Sequence, residues 1–316
     1  MSARVVALSG GIGGAKLALG LYRILPADAL MVVGNTGDDF EHLGLCISPD
    51  LDTVMYTLAG IANPETGWGR AGETWSFMAA LEQLGGETWF RLGDRDLATH
   101  VERTRRRAAG ESLSAITADF SRRLGVRARI VPMCDQPVRT MVDTEDGVLP
   151  FQRYFVERRT EPKVRGFAFA GVEAARPLPA ILEALASEHI EAVVICPSNP
   201  FISIDPILAV PGMRAALAAC RAPVVAVSPI IGGRAIKGPT AKMMAELGLP
   251  TTAHAVAQHY RGLLDGFVLD EADAGEAERI GLPCLATRTL MASEDDKRTL
   301  AAEVLAFARR LDPRAR

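Results

Sequence analysis

The sequence predicts an α/β fold built on a doubly wound, mostly parallel sheet. Short apolar runs rich in β-branched residues alternate with longer segments of helical periodicity, as expected of strand–helix–strand units. The runs show no polar alternation, which predicts strands that are covered on both faces and paired in parallel through right-handed crossovers. Five runs carry this prediction, at residues 5–8, 30–33, 192–195, 224–227 and 266–269.

Helical patterns fill the intervals between these strands. The first covers residues 16–25 and should end there because Pro26 cannot continue a helix. Further clear helical patterns lie at residues 179–187, 213–220 and 294–311. Helices in these intervals would cover both faces of the sheet.

Residues 63–165 break the regular alternation. Clean strands are few before residues 128–131, helical patterns dominate, and the basic run at residues 105–107 is interpreted as a solvated helix face. We therefore predict two parts. Residues 1–62 and 166–316 would form a Rossmann-like nucleotide-binding core, and residues 63–165 an inserted, largely helical lobe that contributes to the ligand site.

Composition and charge exclude several classes of protein. The 316 residues are 48% hydrophobic and 23% charged, which suits one globular core without disulfide or metal staples. The formal net charge of −3 provides no field that would recruit nucleic acid or an anionic membrane. No apolar run reaches the roughly 18 residues of a membrane span, and the first strand leaves no room for a signal peptide. We expect a cytoplasmic protein with neither nucleic acid nor membrane as partner.

The cysteines predict a reducing environment. Their number is odd, their spacing is wide and no Cys-x-x-Cys motif occurs. We expect reduced, mostly buried thiols at Cys46, Cys134, Cys196, Cys220 and Cys284. No Ser–His–Asp, His-Glu-x-x-His or Gly-x-Ser-x-Gly pattern is present either, which disfavours covalent catalysis and structural zinc.

The strongest local signal is a glycine-rich turn, Ser9-Gly-Gly-Ile-Gly-Gly14, directly after the first predicted strand. Glycines let the backbone approach a phosphate, and the next helix offers unpaired N–H groups at its start. The turn is neither a P-loop nor a clean Gly-x-Gly-x-x-Gly motif, because Lys16 stands where the third glycine should be. A turn that only packs helix on strand is the alternative. The phosphate-binding candidates are Gly10, Gly11, Gly13, Gly14 and Lys16.

Acidic residues follow the second predicted strand, in Asn35-Thr-Gly-Asp38-Asp39. The carboxyl ends of parallel strands face the ligand crevice of such a sheet. The adjacent acids Asp38 and Asp39 could therefore bind ribose hydroxyls or a metal ion, and Asn35 and Asp38 are the substrate-binding candidates of this motif. A solvated turn with a local cap is the alternative interpretation.

A second acidic motif, Ser48-Pro-Asp50-Leu-Asp52-Thr53, precedes a helical run. Capping of the helix would explain one of the two acids but not both. Carboxylate and phosphate oxygens are the ligands that Mg²⁺ accepts. Asp50 and Asp52 are therefore candidates to hold Mg²⁺, and helix capping alone is the alternative interpretation.

Three further motifs add charged and polar groups. The segment from Arg91 to Asp96 puts two arginines and two aspartates into six residues, either to bind phosphate or carboxylate oxygens or as a surface ion-pair cluster. Two turns follow later core strands, at residues 197–200 and 228–233, on the same predicted edge as the glycine turn. The candidates here are Arg91, Asp94, Arg95, Ser198, Asn199, Ser228, Gly232 and Gly233, with Lys237 as a further source of positive charge.

The three tryptophans, Trp68, Trp75 and Trp89, lie in the predicted lobe close to these acids. A flat aromatic ligand could stack on such rings. Packing within the lobe is the favoured interpretation for at least two of them.

Taken in order, these motifs resemble the 2-phospho-L-lactate transferase family of deazaflavin coenzyme F-420 biosynthesis. The resemblance extends over residues 5–311 and includes Pro132-Met-Cys134-Asp135 and Phe151-Gln152. No single motif is decisive, but six in the same order are specific. The resemblance rests on Ser9–Leu17, Asn35–Asp39, Ser48–Thr53, Leu92–Asp96, Pro197–Pro200 and Ser228–Gly232.

The resemblance implies a Mg²⁺-dependent transfer reaction in a homodimeric enzyme. The donor would be guanosine diphosphate linked to a three-carbon acid, and the acceptor the ribityl hydroxyl of 7,8-didemethyl-8-hydroxy-5-deazariboflavin, with GMP released. The glycine turn, Asn199 and the 228–233 loop would hold the guanosine diphosphate. Asp50, Asp52 and Arg91 would be the catalytic candidates. Asp50 would be the metal ligand or the base that accepts the hydroxyl proton, and Asp52 and Arg91 stand at positions associated with deazaflavin. Phosphoryl transfer by positioning and charge neutralisation is consistent with this set of residues.

The first loop departs from the family pattern. Ile12, Gly14 and Ala15 replace Thr, Thr and Pro, so phospholactyl, phosphoenolpyruvyl and phosphoglyceryl donors stay open. A non-enzymatic regulator that binds nucleotide sugars on a similar core is the main alternative, although that group lacks the motifs at residues 48–53 and 92–96. A nicotinamide oxidoreductase is disfavoured by the missing third glycine.

Overall fold

The computed structural model describes residues 3–26 and 28–311, so the outermost residues of the predicted core, 1–2 and 312–316, lie outside it. The strands are β1 (Val5–Ser9), β2 (Leu30–Gly34), β3 (Phe40–His42), β4 (Leu45–Ile47), β5 (Arg129–Pro132), β6 (Arg139–Thr144), β7 (Gly147–Pro150), β8 (Val164–Ala170), β9 (Ala192–Ile195), β10 (Val224–Val227), β11 (Ile230–Ile231), β12 (Arg234–Ala235), β13 (Gly266–Asp270) and β14 (Cys284–Thr287).

The helices alternate with these strands over most of the chain. In order they are α1 (Gly11–Ile24), α2 (Pro49–Leu58), α3 (Ser76–Gln83), α4 (Asp94–Ala108), α5 (Leu113–Arg123), α6 (Pro179–Ala186), α7 (Asp205–Ala209), α8 (Met213–Ala219), α9 (Thr240–Glu246), α10 (Ala253–His259), α11 (Ala277–Ile280) and α12 (Glu294–Ala308). Two π-helical turns, Arg153–Glu157 and Pro200–Ile204, and two 3-10 turns, Val172–Ala174 and Glu271–Glu276, complete the set.

A seven-stranded parallel sheet forms the centre, in the order β14-β13-β10-β9-β1-β2-β5. All of its pairs are parallel. The chain order reverses next to β1, which is where an open α/β sheet forms its ligand crevice. The predicted doubly wound, mostly parallel fold is confirmed, and all five predicted core strands are present.

Alternate side chains of the strands enter two separate cores. In β1, Val6 and Leu8 belong to one core, while Val5 and Ala7 belong to the other. Helices α6 to α10 contribute to the first core, and helices α1, α2, α5 and α12 to the second. Burying each Val or Leu side chain contributes roughly 1.5–3 kcal/mol, so the covered faces explain the unbroken apolar runs.

The segment 63–165 is divided by the structure. Its strand β5 pairs in parallel with β2 and is the edge of the central sheet, so part of the predicted lobe lies in the core. Strands β6 and β7 form a separate antiparallel sheet with β8, which extends to residue 170, beyond the predicted boundary. Helices α3 and α4 pack against the small β3–β4 hairpin.

The remaining sequence predictions concern cysteines and membrane spans. All five cysteines lie in the described part of the chain, and none forms a disulfide. Within residues 3–26 and 28–311, no single helix is long and apolar enough to cross a membrane. One pair, Pro200–Ala209 with Met213–Ala219, would pass that test only jointly and is bent by 83°.

Candidate functional site

A cavity of about 640 Å³ lies at the carboxyl edge of the central sheet. It is bounded by the turns that follow β1, β9 and β10, by the start of α2, and by loops near residues 66–69, 89–91 and 289–291. Eleven of the predicted site residues line it: Gly10, Gly11, Gly13, Lys16, Asp38, Asp50, Asp52, Arg91, Ser198, Asn199 and Ser228. The fold thus brings together motifs that are up to about 200 residues apart in the chain.

The glycine turn packs tightly against the turn after β9. The Gly10 N–H donates to Ser198 Oγ at 3.2 Å, and Ser198 Oγ donates back to the Gly10 carbonyl at 2.8 Å. A Cβ at Gly13 would overlap the carbonyl oxygen of Pro197, and one at Gly14 would lie 2.5 Å from Ser198 Oγ. We call Gly10, Gly11, Gly13, Ser198 and Asn199 the glycine wall. Its glycines permit close backbone approach, and the first N–H groups of α1 begin at this wall.

Asp50 contacts the glycine wall at Gly11, which has a positive φ. Gly11 has φ of +62°, and its N–H donates to Asp50 Oδ1 at 2.6 Å. The side-chain amide of Asn35 donates to Asp50 Oδ2 and to Asp38 Oδ1, both at 3.0 Å. Two buried carboxylates therefore share one neutral donor beside the glycine wall.

Burial disfavours the ionised form of these acids. It raises the pKa of Asp50 to about 6, against the hydrogen bonds from Asn35 and Gly11. Burial, followed by the charges of Asp50 and Asp39, raises the pKa of Asp38 well above its usual value. Burial also raises the pKa of Asp39 to about 7, although Arg139 and a hydrogen bond from Ser48 oppose the shift. The three acids, Asp38, Asp39 and Asp50, are called the unpaired acid cluster below.

Asp52 has a different environment, although it lies in the same first turn of α2. Arg103 of α4 donates to both of its oxygens, to Oδ2 at 3.1 Å and to Oδ1 at a shorter distance. His100 Nδ1 lies 3.8 Å from Asp52 Oδ2, and His100 Nε2 lies 3.4 Å from Asp96 Oδ1. Tyr56 donates to Asp96 Oδ1 at 2.7 Å.

We call Arg103, Asp52, His100, Asp96 and Tyr56 the Arg103 network. Sequence reasoning missed three of its members, Arg103, His100 and Tyr56. A signal for two of them exists, because residues 96, 100 and 103 are spaced four and three apart and so share one face of α4. The packing of that face against α2 has no such local signal.

Aromatic side chains form another part of the cavity. Trp89, Phe90, Phe151 and Phe155 line it together with Arg91, and we call these five residues the aromatic wall. The rings of Phe151 and Phe155 stack with centroids 5.3 Å apart. Arg91 places its guanidinium 4.1 Å from the ring of Trp75, which itself packs in the small core of α3.

Trp68 also lines the cavity and is 46% exposed. Two of the three tryptophans therefore face the cavity, Trp68 and Trp89, whereas packing was favoured for at least two. A smaller cavity of about 350 Å³ shares Asp38, Trp89, Phe151 and Gln152 with the larger one.

Lys16 supplies a positive charge near the start of α1. Its ammonium donates to the Met291 carbonyl at 3.0 Å. Burial lowers its pKa, with smaller contributions from Lys297 and Lys237. A half-buried ammonium group beside the glycine wall suits an anionic ligand.

Six predicted site residues do not line the cavity. Asn35 is fully buried and acts behind Asp50, as described above. Asp94 accepts hydrogen bonds from the N–H groups of Ser76 and Phe77, so it stabilises the start of α3. Arg95 donates to the Ala71 carbonyl at 3.3 Å. The others are Gly14, which packs against Ser9 and Ser198, Gly232, whose N–H donates to Asp273, and Gly233.

The structure therefore assigns packing contacts to Asp94, Arg95 and Gly232 where the sequence suggested ligand contacts. Each of them lies in a motif whose neighbours do reach the cavity. Sequence proximity to a ligand residue was the reason for including them, and helix capping uses the same residue types.

Comparison with known proteins adds a fold relationship. A crystal structure of a member of the UPF0052 family from Bacillus halodurans superimposes with a TM-score of 0.63 and 14% identity, covering 96% of this chain and 99% of that one. At this identity the likeness concerns the fold alone.

Sequence relatives are much closer. A phosphoenolpyruvate transferase from Streptomyces griseus is 44% identical over 314 residues, covering 96% of this chain and 98% of the relative. A 2-phospho-L-lactate transferase from Methanosarcina mazei is 40% identical over 304 residues, covering 95% and 99%. The family model for 2-phospho-L-lactate transferase CofD matches residues 5–287. On this evidence, the chain belongs to the 2-phospho-L-lactate transferase CofD family.

Proposed function

We propose that this transferase moves a three-carbon acid together with the distal phosphate that carries it from a guanosine diphosphate-linked donor to a deazaflavin. The transferred group is the phospholactyl, phosphoenolpyruvyl or phosphoglyceryl type, and the acceptor is the ribityl hydroxyl of 7,8-didemethyl-8-hydroxy-5-deazariboflavin. GMP is the leaving group. The observation that carries the proposal is the contact between Asp50 and Gly11, which puts a carboxylate against a phosphate-binding turn inside one large cavity.

The glycine wall supports the donor half of the proposal. Its backbone N–H groups and the start of α1 favour the diphosphate of the donor, and Lys16 adds positive charge. Asn199 and Ser228 lie at the ends of neighbouring strands and are placed to hold the nucleoside part.

The unpaired acid cluster supports a divalent cation. Asp38 and Asp50 share the Asn35 amide, and burial raises both of their pKa values. Such a pair is stabilised by a cation that is bound with the donor, and Mg²⁺ accepts carboxylate and phosphate oxygens. We propose that Asp50, with Asp38, holds Mg²⁺. When bound, the cation would neutralise charge on the transferring phosphoryl group.

The aromatic wall and Asp52 support the acceptor half. Flat rings such as those of Phe151 and Phe155 suit a deazaflavin, and Arg91 and Asp52 offer polar contacts at its edge. The acceptor hydroxyl attacks the distal phosphorus, the bond from that phosphorus to the bridging oxygen breaks, and GMP departs. The Asp38–Asp50 pair takes the hydroxyl proton.

The test is to mix the chain with Mg²⁺, deazaflavin and each of the three guanosine diphosphate-linked acids in turn. We expect GMP release that requires deazaflavin, together with a product whose mass identifies the acid transferred. The same reaction without deazaflavin is the control. Failure to release GMP with all three acids would contradict the proposed function.

A further inference from the structure

A network of buried charges stands behind the Asp52 side of the cavity. Arg103 is 2% exposed and does not line the cavity, yet three of the four contacts described next are to residues that do. It donates to both oxygens of Asp52, approaches His100 Nδ1 at 3.3 Å, and donates to the Cys46 carbonyl at 3.3 Å. The reaction described above gives Arg103 no part.

The hydrogen bonds from Arg103 determine which lone pairs of the Asp52 carboxylate can accept a hydrogen bond from the cavity. A carboxylate has about four lone-pair directions, and the two N–H groups of Arg103 use one on each oxygen. The remaining lone pairs stay available to a hydroxyl or N–H donor in the cavity, which Asp52 lines. Burial raises the pKa of Asp52, and the adjacent Arg103 is the largest influence that keeps it ionised.

The contacts of His100 complete the arrangement. Arg103 Nη1 lies 3.3 Å from His100 Nδ1, and His100 Nε2 lies 3.4 Å from Asp96 Oδ1. The imidazole ring therefore lies between the guanidinium and Asp96. Tyr56 donates to the same Oδ1 of Asp96 at 2.7 Å.

Two simpler explanations fit less well. Ligand atoms of Asp52, Asp96 and His100 lie within 4.8 Å of one another, as in a metal site, but the positive charge of Arg103 in contact with Asp52 would repel a cation there. A purely structural ion pair would not need a carboxylate that faces the cavity. Arg106, one turn further along α4, is an example of a purely structural ion pair. It joins α4 to Glu111 and to Asp119 of α5, and it does not line the cavity.

We propose that Arg103 is a positioning residue for the acceptor, because its two-point contact holds the Asp52 carboxylate oriented to accept hydrogen bonds from the polar edge or ribityl chain of the deazaflavin. His100 acts with it by holding the guanidinium in place. This inference rests on the proposed function, since the acceptor is part of it.

The experiment compares Arg103→Met and Arg103→Lys with the matched control Arg106→Met. We measure KM for deazaflavin, kcat, the Kd for GDP and the Kd for deazaflavin from its fluorescence. Losing a charge-assisted contact is expected to raise KM and Kd for deazaflavin about 10- to 100-fold in Arg103→Met. Arg103→Lys, which keeps the charge but not the fork, should recover part of the loss. GDP affinity should stay within about twofold, and Arg106→Met should match the wild type.

A double variant separates positioning from a general loss of structure. If Arg103 acts through Asp52, adding Arg103→Met to Asp52→Asn should change deazaflavin affinity little further. The inference is overturned if Arg103→Met and Arg106→Met shift deazaflavin affinity alike, if GDP affinity falls equally, or if the two substitutions are additive. Should Arg103→Met not fold, Arg103→Lys decides between the same outcomes.

Wild-type behaviour distinguishes this inference from the proposed function. Deazaflavin binding without GMP release would contradict the proposed reaction, and the binding comparison would still decide the role of Arg103. A wild-type chain that does not bind deazaflavin at all would overturn both.

Discussion

Asp50 and Asp52 lie two residues apart in one helical turn, yet among the described residues only Asp52 forms an ion pair with another side chain. Asp52 is paired with a buried arginine that the chain itself supplies. Asp50, together with Asp38 and Asp39, accepts its hydrogen bonds from neutral donors, namely Gly11, Asn35 and Ser48. Burial raises the pKa of all four acids, but only Asp52 has an ion-pair partner at contact distance among the described residues.

The difference indicates which buried charges would be neutralised by a bound ligand and which are neutralised by a side chain of the chain itself. Buried carboxylates without a cation are costly, and the cost falls when a ligand brings positive charge. The unpaired acid cluster is therefore stabilised most by a bound cation. The Arg103 network is neutralised before any ligand arrives, so it can act as a fixed hydrogen-bonding surface.

The largest expected effect is the loss of stability in Asp52→Asn. This substitution leaves the buried Arg103 charge without its partner, which should lower the free energy of unfolding by about 3 kcal/mol. Urea denaturation of the ligand-free chain measures it. An unchanged stability would mean that the Asp52–Arg103 pair is not formed in solution.

Gly13→Ala tests the glycine wall on its own. The new Cβ would overlap the Pro197 carbonyl and push away the turn that carries Ser198, so we expect GDP affinity to fall about 10- to 100-fold. Gly166→Ala is the matched control, because a Cβ there meets no atom within 4 Å. Calorimetry measures the affinity, and equal GDP binding by both variants would contradict the close packing of this wall.

Asp39→Asn should change the free energy of unfolding in the opposite direction from Asp52→Asn. Burial raises the pKa of Asp39 to about 7, so the folded chain keeps a proton that the unfolded chain releases near pH ~4. The folded state is therefore penalised increasingly as the pH rises from about 4 to about 7.

Removing this acid should stabilise the ligand-free chain by about 2 kcal/mol more at pH 8 than at pH 5. Asparagine can still accept the hydrogen bond from Ser48 through its amide oxygen. Denaturation at the two pH values, in the presence of a chelator, measures the difference. A destabilisation at pH 8 would show that Asp39 has a positive partner after all.

Proton competition should give the smallest of these effects. If Asp50, with its pKa of about 6, holds Mg²⁺, protons compete with the cation below that pH. The apparent Kd for Mg²⁺, measured by calorimetry with GDP present, should rise about tenfold between pH 7 and pH 5. A Kd that does not change with pH would remove Asp50 from the cation site.

The sequence predicted the elements whose signals are local. The strands β1, β2, β9, β10 and β13 are covered on both faces, so their composition alone identified them. The edge strand β14 was missed because its residues are only partly buried, which weakens the apolar signal. Strand β5 was recognised at residues 128–131 but assigned to the lobe, because pairing with β2 is a long-range property.

The site residues likewise divide into those with a local sequence signal and those that depend on long-range packing. The glycine turn and Asp50 could be chosen from the sequence, since their motifs carry the chemistry within a few residues. Arg103 and His100 could not, because their role depends on how α4 packs against α2. Asp94 does not line the cavity and accepts hydrogen bonds from the N–H groups that begin α3, a use of aspartate that the sequence cannot distinguish from ligand binding.

Asp50→Asn tests the central claim most directly, namely that Asp50 joins the glycine wall to the reacting phosphate. The amide oxygen of asparagine can keep the contact with Gly11, so GDP and deazaflavin should each bind within about threefold of the wild type. The rate of GMP release in a single turnover should fall at least about 100-fold, because an anionic ligand and proton acceptor is lost. A single-turnover rate within about threefold of the wild type, with both ligands bound, would contradict the account.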